Sequence, residues 1–337
     1  MSTAQTMTLD EIERLAMSAL LAAGASPEQA GPLAAAIMGA EADGIASHGL
    51  AYLPTYCEHL RCGKVDGKAV PVVTKPKPAL VVVDAKSGFA HPAIDAGFKV
   101  LIPLARELGL AGMAVRNSYN CGVLGYHTER MAGAGLLGLG FTNAPASIAP
   151  FGGRKAVIGT NPFAIAAPDG KGGAAISIDQ SASVIAKSEV MRRKRAGASI
   201  PEGWAFGPEG EPTTDPEVAL KGTMAPSGGY KGFGAGLMVE LLAAAASGAM
   251  LAMDASPFSG PMGGPPRTGQ FFIAIDIATS SAGEFGQRLE RLVEAIAAQP
   301  GAHVPGGKRK AARDRATSGI GVSADLVTQI QSLAAQR

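Results

Sequence analysis

Apolar side chains recur every three or four positions from Thr8 to Ala23 (TLDEIERLAMSALLAA), the period of a helix with one buried face. Thr8, with Glu11 three residues later, forms a capping box that marks its start. Ser26-Pro27 opens a second helix that runs to about Asp43. The turn DGIASHGL, bracketed by Gly44 and Gly49, then leads to a third short helix from Leu53 to Arg61. At the proline-rich VPVVTKPKP the regime changes. ALVVVDA (79–85) reads as a buried strand, and GMAVRNS, LLGLGFTNA, KAVIGTNPFAIAAP, GAAISIDQS and FFIAIDI as further strands. HPAIDAGFKVLIPLARELGL and VLGYHTERMAGAG predict helices between them, and residues 181–197, 233–253, 283–298 and 323–336 predict four more. The stretch ASIPEGWAFGPEGEPTTDPEVALKGTMAPSGGYKG is dense in turn signals and poor in buryable residues, the pattern of a lid or subunit arm. This order divides the chain into a helical part (1–70 with 311–337), a sheet part (71–185 with 225–310) and an extended loop or arm (186–224).

One glycine run tests the fold class. Within RMAGAGLLGLGFT the segment G-A-G-L-L-G formally matches a dinucleotide-binding fingerprint. That fingerprint needs a strand before the glycines and a helix after them, because the pyrophosphate rests on the new helix's N-terminus. Here the order is reversed. Gly133 and Gly135 follow a predicted helix, and Gly138 lies inside the strand that comes next. A helix C-cap explains them, so any nucleotide is held by an architecture other than a Rossmann fold.

Composition narrows the partners. The 337 residues are 47% hydrophobic and 17% charged with a net charge of +2, which argues against nucleic acid or an anionic membrane surface. The longest apolar run, Leu241 to Met253, is too short to span a bilayer, and the N-terminus lacks the pattern of a signal peptide. Cys57, Cys62 and Cys121 form no C-x-x-C pair, so reduced thiols in a cytoplasmic setting are expected. Histidines 48, 59, 91, 127 and 303 show no metal-binding spacing, so no metal is expected.

Chemistry concentrates in a few turns. Ser47 and His48 sit in a glycine-flanked turn, where a histidine can hand a proton to a reacting atom or simply cap a carbonyl. In IGTNPFA, Thr160 and Asn161 occupy a kink enforced by Pro162, fit for a carboxylate or amide ligand or for a structural turn. Asp179 stands among small polar residues at a strand end, where it can orient a histidine or steady a cation. Lys231 and Gly232 lie in a glycine-rich stretch before a helix, a plausible phosphate or ribose contact. HVPGGKRK, with His303, Pro305, Gly306, Lys308, Arg309 and Lys310, is either an anion-binding loop or a solvated basic one. MRRKR (191–195) has no interleaved aromatics and reads as an exposed helix face.

In order along the chain, SHG, LPTY…GKV, IGTNP, PEGW…PTTDP, GGYKG…MVELL and the late VPG-basic loop resemble the malate/L-lactate dehydrogenase family, NAD(P)-dependent oxidoreductases without a Rossmann fold. The resemblance covers nearly the whole chain. It implies an α/β fold with a largely antiparallel central sheet, helical N- and C-terminal segments packed together, and a homodimer. The sheet part would hold NADPH or NADH. AYLPTYCEHLRCGKVDGKAVP and NSYNCGVLGYHTE are more similar to the family's Δ1-piperideine-2-carboxylate/Δ1-pyrroline-2-carboxylate reductases than to its malate enzymes. A 2-hydroxy-acid dehydrogenase of malate, lactate or ureidoglycolate type is the alternative, and a non-catalytic binding protein on the same scaffold a third reading. By resemblance Ser47, His48 and Asp179 form the proton relay, with Asp179 keeping His48 charged. Tyr52, Thr160 and Asn161 then touch the substrate. Asn120, Cys121, Gly122, Val123, Leu124, Lys231, Gly232 and the 303–309 loop line the cofactor. Three positions depart from the family's pattern: Tyr52 replaces an arginine, Asn120 a histidine and Tyr230 a histidine. A tyrosine cannot form the bidentate, charge-assisted pair that an arginine makes with a carboxylate.

Overall fold

The run FFIAI shows how the centre is built. In the computed structural model, which describes residues 4–336, Thr268–Ile275 is the middle strand of seven. Phe272 and Ala274 pack on one face with Phe98 and Ile94 of the helix Ala90–Leu108. Phe271 and Ile273 pack on the other face with Val239 and Ala243. A strand covered on both faces needs apolar residues at successive positions, not alternate ones. The sheet order is Val72–Lys77, Leu80–Asp84, Leu110–Ser118, Thr268–Ile275, Leu137–Thr142, Phe163–Pro168 and Ala174–Gln180. Neighbours are antiparallel except Leu80–Asp84 with Leu110–Ser118, which the helix Ala90–Leu108 joins as a crossover. The sheet is therefore largely antiparallel and not of Rossmann type, as expected.

The helices Leu9–Ala22, Pro27–Ala42, Leu53–Arg61 and Ala324–Ala334 share a second core around Ile12, Leu33, Leu53, Tyr56 and Ile330. The Thr8 capping box is formed: Thr8 N donates to the Glu11 carboxylate at 2.7 Å, and Glu11 N donates to Thr8 Oγ1 at 3.2 Å. Ala4–Met7 pairs antiparallel with Ile320–Ser323 and joins the two ends of the chain. The glycine run behaves as its order demands. Gly135 turns at φ 83° after the helix Leu124–Gly133. A Cβ on Gly138 would come within 2.8 Å of Met131, so glycine there lets the strand lie against its preceding helix.

Several boundaries differ from the periodicity. VPVVTKPKP contributes the sheet-edge strand Val72–Lys77, a position where proline is tolerated. Of KAVIGTNPFAIAAP only Phe163–Pro168 joins the sheet, because Pro162 lacks an N–H and Asn161 sits at φ 40°. The helix expected over 181–197 is confined to Lys187–Arg195, since Ser183 is held in a bridge to Pro226. The long apolar helix starts earlier, as Tyr230–Glu240, and ends in a π-helical turn, Leu241–Ala246. The late basic loop is a helix, Gly307–Ala316. Residues 186–224 carry more local structure than an extended loop. Two helices (Lys187–Arg195, Pro216–Lys221) and a small antiparallel pair pack around Val190, Ile200, Ala205, Ala219 and Met224. Among the described residues no helix is long and apolar enough to cross a membrane.

Candidate active site

A cavity of about 570 Å³ lies between the helical layer and one end of the sheet. Ser47 and His48 reach it from a tight turn that the local sequence enforces. Gly44 reverses the chain at φ 72°. The buried carboxylate of Glu41 then accepts a hydrogen bond from Leu50 N at 2.7 Å and closes the loop. A Cβ on Gly49 would collide with that carboxylate, so the glycine of SHG is required by packing. Burial shifts the Glu41 carboxyl above its ordinary value, and the Leu50 N–H pulls it back.

Ser47 Oγ lies 3.1 Å from His48 Nδ1, with Ser47 exposed and His48 half-buried. Asp179 lines the same cavity but is engaged elsewhere: its Oδ2 accepts from Gly125 N at 2.8 Å and from Arg309 Nη2 at 3.1 Å. The expectation that Asp179 keeps His48 charged is corrected by this arrangement. Burial pushes the imidazole below its ordinary value, Asp179 opposes the shift, and Arg309 adds to it. His48 rests neutral more readily than a free histidine.

Charge continues away from the cavity. Arg309 also approaches Glu129 at 3.6 Å, and Arg313 bridges Glu129 to Asp43. Glu129 in turn accepts from Ser177 Oγ at 2.7 Å. Arg309 Nη1 is buried with no hydrogen-bond partner, a donor left over in an otherwise paired cluster.

On the other side, the segment Pro257–Gly260 is tied down by polar side chains. Tyr52 donates its hydroxyl proton to Phe258 O at 3.0 Å, and Lys64 Nζ donates to Pro257 O at 2.6 Å. His59 Nε2 donates to Gly260 O at 3.1 Å, while its Nδ1 meets the Tyr119 hydroxyl. Burial holds His59 below its ordinary value, so the neutral ring takes Tyr119 as donor.

Of the residues singled out from sequence, Ser47, His48, Tyr52, Thr160, Asp179, Asn120, Cys121, Gly122, Val123, Leu124 and Arg309 all line this cavity. Asn161 does not. Its Nδ2 donates to Gly236 O and to Glu240 Oε2 at 2.9 and 2.8 Å, and its Oδ1 accepts from Ala144 N. It is a fully buried brace, which corrects its assignment as a substrate contact. Lys231 is exposed outside the lining, and Gly232 is buried against the backbone of Ser227. His303, Pro305, Gly306 and Lys308 also lie outside the lining. Pro305 O accepts from Ser177 N at 3.1 Å, which anchors this turn to the sheet beside Arg309. The five histidines now separate: His91 and His127 pack in the core with tilted rings, centroids 5.4 Å apart, His59 is braced and His303 is exposed, so His48 alone of them lines the cavity. Sequence reasoning missed Lys187, Glu129 and Arg313. Lys187 was hidden inside a helix drawn six residues too long at its start (181 against 187). The Glu129 and Arg313 pairing joins positions too far apart in the chain for any local signal.

The model of the malate/L-lactate dehydrogenase family matches residues 7–331, and the chain belongs to that family of oxidoreductases. It is 41% identical over 331 residues to a (2R)-3-sulfolactate dehydrogenase (NADP(+)) of Chromohalobacter salexigens, covering 98% of each chain. It is 40% identical to a Δ1-pyrroline-2-carboxylate reductase of Ancylobacter novellus, covering 97% of each. Among solved structures, Δ1-piperideine-2-carboxylate reductase of Pseudomonas syringae superposes with a TM-score of 0.92 at 36% identity, over 98% of this chain and 99% of that one.

Proposed function

We propose that this protein reduces a cyclic 2-imino acid, Δ1-pyrroline-2-carboxylate or Δ1-piperideine-2-carboxylate, with NADPH, giving L-proline or L-pipecolate. The observation that carries this reading is His48, beside Ser47, at the wall of a cavity large enough for a nicotinamide and a small ring. The two imine-reducing relatives support the substrate class.

The residues present fit the cofactor. The helix Gly307–Ala316 brings its N-terminus and the cations Lys308, Arg309 and Lys310 together, a setting for phosphate. Arg309 Nη1 makes no hydrogen bond and lies 3.6 Å from Glu129, so it retains donor capacity toward an anion. A side chain on Gly125 would collide with Arg309 Nη1 and crowd Asp179, so glycine there lets the Arg309–Asp179 pair sit against the start of its helix. Asn120–Leu124, Arg309 and the 303–308 turn would hold the dinucleotide, with Asn120 Oδ1 fixing its own turn by accepting from Gly122 N at 2.6 Å. When bound, NADPH supplies a hydride from nicotinamide C4 to the substrate's C2. The C=N double bond becomes a single bond, and the ring nitrogen must hold one proton more than the neutral imine. His48 delivers that proton in its protonated form, because it is the imidazole at the cavity wall. Ser47, hydrogen-bonded to the ring and exposed, connects it to solvent.

The same reading includes a homodimer, supported by exposed apolar side chains at Leu237, Met238, Leu241 and Met253. It also includes a reducing compartment, consistent with three free thiols. Reduction of a 2-keto acid is the second reading, favoured by the 41% identical sulfolactate dehydrogenase. A panel of pyrroline-2-carboxylate, piperideine-2-carboxylate, pyruvate, oxaloacetate, glyoxylate and 3-sulfopyruvate, followed at the absorbance of NADPH and NADH, tests both. Turnover dominated by imino acids with NADPH is expected. A preference for a keto acid by more than tenfold selects the second reading, and no turnover with any of them rejects both.

A further inference from the structure

Every substrate in either reading carries a carboxylate, and the structure leaves few groups free to bind it. Tyr52 stands where the family pattern has an arginine, but its hydroxyl proton is committed to Phe258 O. It can offer an anion only lone pairs. Among the cationic side chains of the lining, Arg309 is paired with Asp179 and Glu129, and it sits on the cofactor side. That leaves Lys187.

Lys187 begins the helix Lys187–Arg195 and lines the cavity together with Ala186, Ser188 and Met191. Among the described residues its ammonium has no hydrogen-bond or ion-pair partner. The neighbouring carboxylate of Glu189 is turned to Arg192 and Arg193. The helix cap, Ala186, has no side chain able to accept from the first N–H groups, and the Ser188 hydroxyl stands in the same turn. A cation and a hydroxyl thus stand together on one edge of the cavity that holds His48, at a helix start without a side-chain cap. Lys187 is an exposed residue, so water reaches it as well as the cavity, and partial desolvation lowers its ammonium from the ordinary value.

We infer that Lys187, assisted by Ser188 and the first turn of its helix, is the specificity-determining anchor for the substrate's carboxylate, in place of the arginine lost at position 52. The inference rests on the proposed reading only in taking a 2-carboxylate as the substrate. It assigns the 181–197 segment a binding role that its sequence, read as an exposed basic helix, conceals.

Two variants, Lys187→Met and Lys187→Arg, are compared with wild type by calorimetric titration of the NADPH-loaded protein with pyrrole-2-carboxylate. This planar acid is not reducible, and pyrrole, lacking the carboxylate, is the control. Lys187→Met should weaken pyrrole-2-carboxylate binding roughly 10- to 100-fold, the usual size for one charged hydrogen bond. Pyrrole binding should be unchanged, and Lys187→Arg should recover most of the loss. In turnover, Lys187→Met should raise KM by a similar factor with kcat within about threefold, since binding is lost without loss of the proton donor. Equal binding of pyrrole-2-carboxylate by wild type and Lys187→Met overturns the inference, as does an equal loss for pyrrole. If the wild type reduces keto acids instead, the imino-acid reading fails while Lys187 is judged by the same titration with oxamate. A wild type that binds neither acid overturns both.

Discussion

The two walls of the cavity are built from similar residues and do opposite things. At one wall, formed by Tyr52 and the Pro257–Gly260 segment, Tyr52 and the residues behind it, His59, Lys64 and Tyr119, direct their polar atoms to the carbonyls of Pro257, Phe258 and Gly260 or to each other. Their hydrogen-bonding capacity is consumed inside the protein, and the segment they hold becomes rigid. On the other wall His48 has only Ser47, Arg309 keeps one nitrogen without a hydrogen bond, and Lys187 has no partner among the described residues. A histidine, a lysine and an arginine are therefore scaffold or equipment according to whether their hydrogen bonds are already closed. Residue type alone would have ranked His59 and His48 together.

Replacing each histidine separates the walls most sharply. His48→Ala should lower kcat by roughly 10²–10⁴-fold, the usual contribution of a general acid, with NADPH affinity nearly unchanged. Near-normal turnover would mean that the proton comes from elsewhere. His59→Ala should instead cost about 1–3 kcal/mol of stability, because it removes a buried partner of the Tyr119 hydroxyl and the donor to the part-buried Gly260 carbonyl. Thermal unfolding reads this loss, and turnover per folded molecule should stay within a few-fold. A full loss of kcat with an unchanged Tm would erase the distinction between the walls.

The electrostatics of the open wall give a subtler effect. His48 must be protonated to act in reduction, and burial with Arg309 nearby lowers its value. Activity should therefore fall as pH rises through a point below the ordinary 6.5 or so of histidine. Arg309→Met removes a cation and releases Asp179, so the limb should move to higher pH at saturating NADPH. The profile must be taken on one substrate throughout, because an imine titrates as well. A limb that stays in place would show that another group controls it.

The smallest functional effect belongs to the glycine run, which lies on neither wall. An alanine at Gly138 would crowd Met131 and the Thr128 carbonyl, at a cost of about 1–3 kcal/mol in stability. The dissociation constant for NADPH should change less than twofold. A tenfold weakening in a protein that still folds would restore the nucleotide reading of G-A-G-L-L-G.

Local patterns were read well where one periodicity and one cap acted together. The Thr8 helix, the glycine C-cap at Gly135 and the strand at FFIAI follow from nearest neighbours and burial, although the strand runs from Thr268 to Ile275. The turn carrying Ser47 and His48 was visible because glycines bracket it, and eleven of the singled-out residues meet at one cavity. The errors share a cause. Asn161 was read as a ligand contact because its kink was visible, while Glu240, which claims its amide, is 79 positions away. The basic loop at 303–310 and the helix at Lys187 were misdrawn because their ends are set by contacts with Ser177 and Pro226, not by their own residues.

Residue order and type decided that no strand-glycine-helix unit carries the nucleotide, that the chain belongs among α/β proteins, and that a histidine in a tight turn was the residue to watch. Those matters depend on dihedral preference, period and capping, which act within a few residues. Only the folded chain decided which polar groups are free. Whether His48 rests charged, whether Asp179 serves it or Arg309, and whether Tyr52 or Lys187 faces the substrate depend on pairings across 100 residues or more. A hydrogen bond once closed inside the protein is unavailable to a ligand, and closure is a property of tertiary packing.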